Sequence, residues 1–201
     1  MNNIKEFNSE EEYTNYIKPM LVQEIGKGSE GKVFLTKDNE IIKVMTNFFG
    51  YKYLSEHPDI IMSNDLKLDL FIFPDELYIK DDIILGYKEK LFTGDLFNTF
   101  PKENINIDNL IRAREVLIED VKKITDYGYY LFELPRNLLF DNKRLVAIDT
   151  LDYIKRDVTL EDNIGVVDYA LLTKLYYIYN ELDNSKPFEE EIEKIYTNKR
   201  I

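Results

Sequence analysis

The chain has 201 residues, 44% of them hydrophobic and 13% aromatic, which is enough to bury a core in one large domain or two small lobes. A formal net charge of −12 argues against a sequence-independent nucleic-acid-binding protein, and the absence of cysteine excludes disulfides and cysteine metal sites. With no secretory signal at the start and no apolar run near the roughly 20 residues of a membrane span, we expect a cytoplasmic protein without a membrane span.

The first predicted element is a short helix over residues 8–18. Either Asn8 or Ser9 is a suitable N-cap, because both side chains accept hydrogen bonds from the amides of a first helical turn. Glutamates follow, and their charges suit the positive end of the helix dipole. Pro19 is expected to end the helix.

The most informative pattern lies in residues 25–45. Three glycines precede an apolar, β-branched run over 32–36, and a Lys-Asp-Asn turn then leads to a second such run over 40–45. In a dinucleotide-binding unit the third glycine opens a helix, whereas the residues here favour a strand. The sequence therefore predicts a β-hairpin capped by the glycines, with Lys43 between apolar neighbours on the second strand. The glycines, which allow a backbone to approach phosphates closely, are Gly26, Gly28 and Gly31.

This pattern resembles the nucleotide-binding loop of the protein-kinase-like superfamily. The resemblance implies that the three glycines, Ser29 and Val33 lie against a bound nucleotide. It also implies that Lys43 pairs with the phosphates of ATP.

Kinase-like folds also pair this lysine with a glutamate on the helix that follows the hairpin. Residues 47–56 favour such a helix, which is expected to end before Pro58. Glu56 is the best candidate for the glutamate, and spacing alone leaves Glu40 and Asp59 open as alternatives.

Three further strands are predicted, the last two of them as a hairpin, over residues 68–73, 77–79 and 83–87. They complete an antiparallel sheet of about five strands, which corresponds to the small nucleotide-binding lobe of a kinase-like fold, residues 1–90. Residues 88–90 fall where kinase-like chains cross between lobes, so residues 91–201 are expected to form a helical lobe with the catalytic and metal-binding loops.

The second lobe is predicted to contain three helices. The clearest covers residues 108–127, where apolar residues recur on one face, with Asp108 as the expected cap and Gly128 at the end. Residues 164–179 are apolar nearly all round, which is typical of a buried central helix. A last amphipathic helix is predicted over residues 188–196.

A second motif lies between the first two of these helices. Residues 130–140 are followed by an Asp-Asn-Lys-Arg turn and an apolar run that ends at Asp149. This order resembles the catalytic loop, hairpin and metal-binding aspartate of protein kinases. The resemblance implies that Asn137 and Asp149 hold a metal ion, for which their oxygen atoms are suited, and that Glu133 orients the acceptor hydroxyl.

The second motif departs from the kinase pattern in several respects. Glu133 replaces the catalytic aspartate, and only three residues separate it from Asn137, one fewer than usual. Thr150 and Leu151 replace the usual Phe-Gly, and the short stretch after Asp149 leaves little room for an activation segment. Few helices follow, so the helical lobe is reduced.

The sequence therefore predicts an α+β, two-lobed protein-kinase-like fold with a five-stranded antiparallel first lobe. The predicted function is transfer of the γ-phosphoryl group of ATP, with Mg²⁺ or Mn²⁺, to a hydroxyl of a protein or small molecule. Lys43 and Glu133 are the predicted catalytic residues. The alternative is a pseudokinase, a nucleotide-binding or protein-interaction module without turnover. Glu133 and Thr150 favour the alternative, whereas Lys43, Asn137 and Asp149 favour catalysis.

Overall fold

The computed structural model describes residues 3–46, 52–56, 66, 68–179 and 182–198. The described chain is α+β, as predicted, and it divides into two compact units. The first unit comprises Met1–Lys67 and Ile72–Phe92, and the second comprises Leu68–Phe71 and Thr93–Ile201.

A mixed six-stranded sheet forms the first unit, together with helix α1 (Glu10–Ile17). The strands are β1 (Asn3–Glu6), β2 (Leu21–Lys27), β3 (Gly31–Thr36), β4 (Glu40–Met45), β5 (Glu76–Lys80) and β6 (Ile83–Lys90). Their order is β1-β5-β6-β4-β3-β2, and every neighbouring pair is antiparallel except β1 and β5, which are parallel. The prediction of a five-stranded antiparallel sheet is therefore wrong at both edges, where β1 and β2 lie outside the predicted strands, and the predicted strand over 68–73 is not part of the sheet.

Helix α1 confirms the first predicted element. Ser9 is its N-cap, since the Glu12 amide donates to Ser9 Oγ at 3.1 Å. The helix buries Tyr13 and Ile17, which stand four residues apart and so share one face. They pack into a cluster with four other buried residues, Phe7, Ile42, Tyr78 and Leu85.

The predicted hairpin and the predicted crossing segment have different outcomes. Strands β3 and β4 pair as predicted, and Asn39 in their turn adopts a left-handed φ of 59°, which asparagine tolerates better than most residues. Residues 88–90, in contrast, do not leave the sheet: β6 continues through Lys90, which pairs with Glu40 on β4. The change from the first unit to the second follows Phe92, two residues after the predicted boundary at residue 90.

The second unit contains three helices and five short strands among its described residues. The helices are α2 (Ile107–Asp126), α3 (Leu160–Tyr179) and α4 (Phe188–Asn198). The strands are β7 (Asp95–Leu96), β8 (Tyr129–Tyr130), β9 (Leu138–Phe140), β10 (Leu145–Ala147) and β11 (Ile154–Lys155). Strands β10, β9 and β7 form one sheet in that order, and β11 pairs with β8.

The segment Leu68–Phe71 corrects a strand prediction. Only Phe71 forms a β-bridge, with Ala147, and no strand covers residues 68–73. The amides of Asp69 and Leu70 donate instead to the buried Asp120 carboxylate on α2, at 2.9 and 3.0 Å. Because these donors are used by a side chain, they are not available to a neighbouring strand.

Helix α2 lies where it was predicted, but its cap differs. The Asn109 amide donates to the side chain of Asn106 at 3.0 Å, so Asn106 is the N-cap and the predicted Asp108 is not. Asp108 instead accepts a hydrogen bond from the Tyr196 hydroxyl. Gly128 follows the helix with a φ of +80°, which explains why glycine ends it.

Helix α3 is less buried than predicted. One face is buried through Val167, Leu171 and Leu175, whereas Tyr169, Tyr176 and Tyr177 are exposed. Its apolar composition is thus carried partly by tyrosines, whose hydroxyl ends tolerate water. Within the described residues, no helix has both the length and the apolar character needed to cross a bilayer.

A bidentate ion pair joins α2 to α3. The Arg114 guanidinium donates to the Asp168 carboxylate at 2.5 and 2.8 Å, and both side chains are largely buried. Arg114 also lies 3.0 Å from Glu189 of α4. Two parallel hydrogen bonds fix the angle between the groups, so this pair aligns the helices.

Candidate functional site

The glycine hairpin positions Lys43 through strand register. Gly26 pairs with Val33, and Val33 pairs in turn with Lys43, so the three residues form one row across β2, β3 and β4. Residues paired in this way point to the same face of an antiparallel sheet. Gly28 and Ser29 lie in the connecting turn, which is closed by a hydrogen bond from the Gly28 amide to the Gly31 carbonyl at 2.9 Å.

The space around the three glycines differs, so a side chain would be tolerated differently at each position. A Cβ at Gly31 would lie 2.3 Å from the Val44 carbonyl oxygen, so this glycine is required by the close approach of β4. A Cβ at Gly26 would make an ordinary contact with Val33, at 3.6 Å. At Gly28 it would meet nothing within 4 Å. The space beside Gly28 is therefore open on the protein side, whereas Gly31 is explained by packing alone.

We expect Gly31→Ala to destabilise the protein and Gly28→Ala to leave its stability nearly unchanged. The first substitution forces backbone atoms apart, and overpacking of this kind costs about 1–3 kcal/mol. The second meets open space, where surface changes stay within about 0.5 kcal/mol. Urea denaturation of the two variants beside the wild type measures both effects. Equal midpoints for the two variants would contradict the packing role of Gly31.

Lys43 is buried, with 8% of its surface exposed. Its ammonium nitrogen lies 3.1 Å from the Glu30 carboxylate and 5.7 Å from the ring centre of Tyr87. Glu30 belongs to the glycine turn and was not predicted as a site residue. A buried ammonium is costly without an anion, so a carboxylate at this point is physically required or must be supplied by a ligand.

The structure bears differently on the three acidic residues that were considered as partners of Lys43. Glu40 lies 3.2 Å from Lys88, so it serves another lysine. Asp59 and most of the predicted helix over 47–56 lie outside the described residues. Glu56 ends a short 3₁₀ turn, Leu54–Glu56, but its side chain is also outside the described part, so its pairing with Lys43 stays a prediction.

In the second unit, the β9–β10 hairpin brings Asn137 and Asp149 side by side. Asn137 precedes β9 and Asp149 follows β10, and the Ile148 amide donates to the Asn137 carbonyl at 2.9 Å. Asp149 adopts a left-handed conformation, with φ 58° and ψ 43°. Non-glycine residues in this region are uncommon and cluster at functional sites.

The donor set around Asp149 fits a hard metal cation. A carboxylate oxygen of Asp149 lies within 4.8 Å of one from Asp152. The backbone of Asn137 lies beside that of Ile148, the residue before Asp149. Oxygen ligands of this kind suit Mg²⁺ and Mn²⁺. Burial raises the pKa of the Tyr153 phenol, and the charges of Asp149 and Asp152 raise it further. That effect marks a local negative potential, which a cation would neutralise.

Glu133 also adopts a left-handed conformation, with φ 64°, immediately before the 3₁₀ turn Leu134–Arg136. Its carboxylate lies 3.1 Å from the guanidinium of the exposed Arg136. Together they line a groove of about 560 Å³ between this segment and α3. The groove is lined by Tyr130, Leu131, Phe132, Glu133, Pro135, Arg136, Asp162, Gly165, Val166 and Tyr169.

Glu133 lines the α3 groove, whereas neither Asn137 nor Asp149 is among the residues that line it. The 3₁₀ turn Leu134–Arg136 joins Glu133 to Asn137.

No model of a known protein family matches this chain. A comparison with curated proteins also gives no significant match. The function must therefore be argued from the residues and their geometry.

Two site residues escaped the sequence prediction although a signal was present. Glu30 is the only acidic residue within the glycine pattern, so a charged contact with Lys43 was available to consider. Asp152 follows Asp149 by three residues, a spacing that one turn of 3₁₀ helix brings onto one side. Neither signal identifies a role without the register that aligns the hairpins.

Proposed function

We propose that this protein is a protein-kinase-like phosphotransferase that uses ATP with Mg²⁺ or Mn²⁺ and transfers the γ-phosphoryl group to a hydroxyl. In this proposal the first unit is the nucleotide-binding lobe, where the open turn at Gly28 and the buried Lys43 bind the phosphates. The second unit is the reduced helical lobe, in which Asn137 and Asp149 hold the metal. Glu133 orients the acceptor, a protein or a small molecule.

The observation that carries this proposal is that Asn137 and Asp149 flank the β9–β10 hairpin at its open end. Their main chains are tied by the Ile148 amide, and a second carboxylate, from Asp152, lies within reach. Phosphoryl transfer depends mainly on positioning and on neutralising phosphate charge, which a metal and a lysine supply. The buried Lys43 supports the same chemistry independently, because its ammonium suits a phosphate oxygen.

The proposal predicts saturable, metal-dependent binding of ATP. A ligand that binds only the folded state raises the melting temperature as it saturates the protein. A thermal-shift titration with ATP and Mg²⁺, repeated with Mn²⁺ and without metal, measures this binding, and release of ADP measures turnover. No shift at millimolar nucleotide under any of these conditions would reject the nucleotide site.

The second candidate function is a pseudokinase that binds nucleotide without turnover. The ion pair of Glu133 with Arg136 favours it, because a carboxylate that already pairs with a guanidinium at 3.1 Å is less available to an acceptor hydroxyl.

Substitution of Glu133 separates the two functions. In an active enzyme, Glu133→Gln should retain ATP binding and lose turnover by about 10²–10⁴-fold, because it keeps the shape and removes the charge. Glu133→Asp should also lose turnover, since its carboxylate falls one methylene short. Glu161→Gln, at an exposed position on α3, is the matched control. ATP binding without turnover in the wild type and both Glu133 variants would favour the pseudokinase.

A further inference from the structure

Two lysines share the Glu30 carboxylate. Besides Lys43 at 3.1 Å, the ammonium of Lys52 lies 3.2 Å from Glu30. Lys52 stands in the segment after β4 and was not predicted to have a role. Two ammonium groups that meet at one carboxylate could both donate to another anion in its place.

The backbone fixes all three members of this cluster. The Glu30 carbonyl accepts from the Thr46 amide at 2.7 Å, which ties the glycine turn to the end of β4. The Lys52 carbonyl accepts from the Ile84 amide at 2.8 Å, which ties Lys52 to the start of β6. Lys43 lies within β4. The sheet therefore fixes the backbone positions from which the three side chains meet.

Exposure within the cluster is uneven. The Lys43 and Lys52 side chains are 10% and 14% exposed, whereas the Glu30 side chain is 30% exposed. The two lysine side chains are therefore more shielded from solvent than the glutamate that they share.

We propose that Lys52 is a second phosphate-binding residue and that Glu30 is a built-in competitor, whose carboxylate occupies the two lysines until the phosphates of a nucleotide displace it. This inference rests on the proposed nucleotide-binding function and extends it. A phosphate group offers several charged oxygens, so it can accept from both ammonium groups as the carboxylate does. The turn at Gly28 has room for this exchange, because a Cβ there meets nothing within 4 Å.

Such competition lowers the apparent affinity by the fraction of molecules in which the lysines are accessible. Glu30→Gln should therefore bind Mg·ATP about ten-fold more tightly than the wild type, the equivalent of one charge-assisted hydrogen bond. Lys52→Met, which keeps the length of the side chain and removes the charge, should bind Mg·ATP about ten-fold more weakly. Neither variant should change the affinity for adenosine, which has no phosphate.

The same sheet provides matched controls. Glu24 and Lys32 form an ion pair at 2.9 Å on β2 and β3, and both side chains are exposed. Glu24→Gln and Lys32→Met make the same chemical changes outside the cluster, so both should bind Mg·ATP like the wild type. Titration calorimetry of the five proteins with Mg·ATP and with adenosine, after a thermal melt of each, completes the experiment.

The outcomes separate this inference from the function on which it rests. Wild-type binding of Mg·ATP with equal or weaker binding by Glu30→Gln overturns the competition and leaves the nucleotide site intact. Equal affinities of Lys52→Met and wild type overturn the role of Lys52, and they decide the matter alone if Glu30→Gln does not fold. Absence of binding in both the wild type and Glu30→Gln rejects the nucleotide site itself.

Discussion

Replacing Asp149 with asparagine should abolish metal-dependent turnover. The variant keeps the shape of the side chain, and asparagine tolerates the left-handed backbone conformation at this position, where φ is 58°. Under the proposed function, only the charge that would face the metal is lost. Loss of outer-shell partners of a metal costs about 10–100-fold in activity, so loss of a ligand charge should exceed about 100-fold.

The control for this substitution is Asp157→Asn, at an exposed position after β11. ADP release at increasing Mg²⁺ or Mn²⁺, with thermal melts of both variants, distinguishes a metal defect from unfolding. If Asp149→Asn turns over ATP at the wild-type rate, Asp149 is not a metal ligand in the reaction.

Replacing Asn163 with alanine should cause the largest loss of stability. The Asn163 side chain is fully buried on α3 and bonds to two other elements. Its amide group donates to the Tyr129 carbonyl at 2.8 Å and to Thr125 Oγ1 at 2.9 Å, and its oxygen accepts from the Leu131 amide at 3.1 Å. Each buried group that loses its partner costs about 1–3 kcal/mol, so we expect a loss of about 3–5 kcal/mol.

Asn184→Ala provides the comparison, because Asn184 is exposed and its side chain donates to Thr173 Oγ1 at 3.2 Å. We expect it to change stability by less than about 0.5 kcal/mol. Urea denaturation followed by circular dichroism measures both variants. A loss below about 1 kcal/mol for Asn163→Ala would show that water replaces its hydrogen bonds.

Sequence patterns correctly predicted the helices and hairpins that are determined by residues close together in the chain. The β3–β4 hairpin follows from two β-branched runs around Lys37–Asn39, and α1 follows from Ser9 and its glutamates. The β9–β10 hairpin likewise follows from the turn between two apolar runs. These elements fix the positions of Lys43, Asn137 and Asp149, so most of the candidate site was predictable in sequence order.

The sequence did not predict structure that depends on contacts between residues far apart in the chain. Strand β1 carries one apolar side chain, Ile4, and pairs with β5 far along the chain, so no alternation marks it. The apolar alternation of residues 68–73 predicted a strand, but the distant Asp120 binds the amides that a strand would use. The residues 68–73 alone do not reveal that a distant side chain accepts hydrogen bonds from their backbone amides.

The site shows the same division between local and distant causes. Register aligns Gly26, Val33 and Lys43, and this row follows from the predicted hairpin with β2 added. The contact of Glu30 with Lys43 depends on how a turn folds back over the sheet, which spacing does not reveal. The groove that Glu133 lines likewise depends on a 3₁₀ turn and on the packing of α3.

The segment Leu68–Phe71 has a consequence for dividing the molecule into fragments. The chain enters the second unit at Leu68, returns to the first at Ile72 and leaves it again at Thr93. A polypeptide that starts at Thr93 lacks the amides bound by Asp120 and the carbonyl of Leu70 that accepts from Ala147. A single cleavage therefore cannot release the second unit whole, and a peptide spanning residues 68–71 would have to complement it in trans.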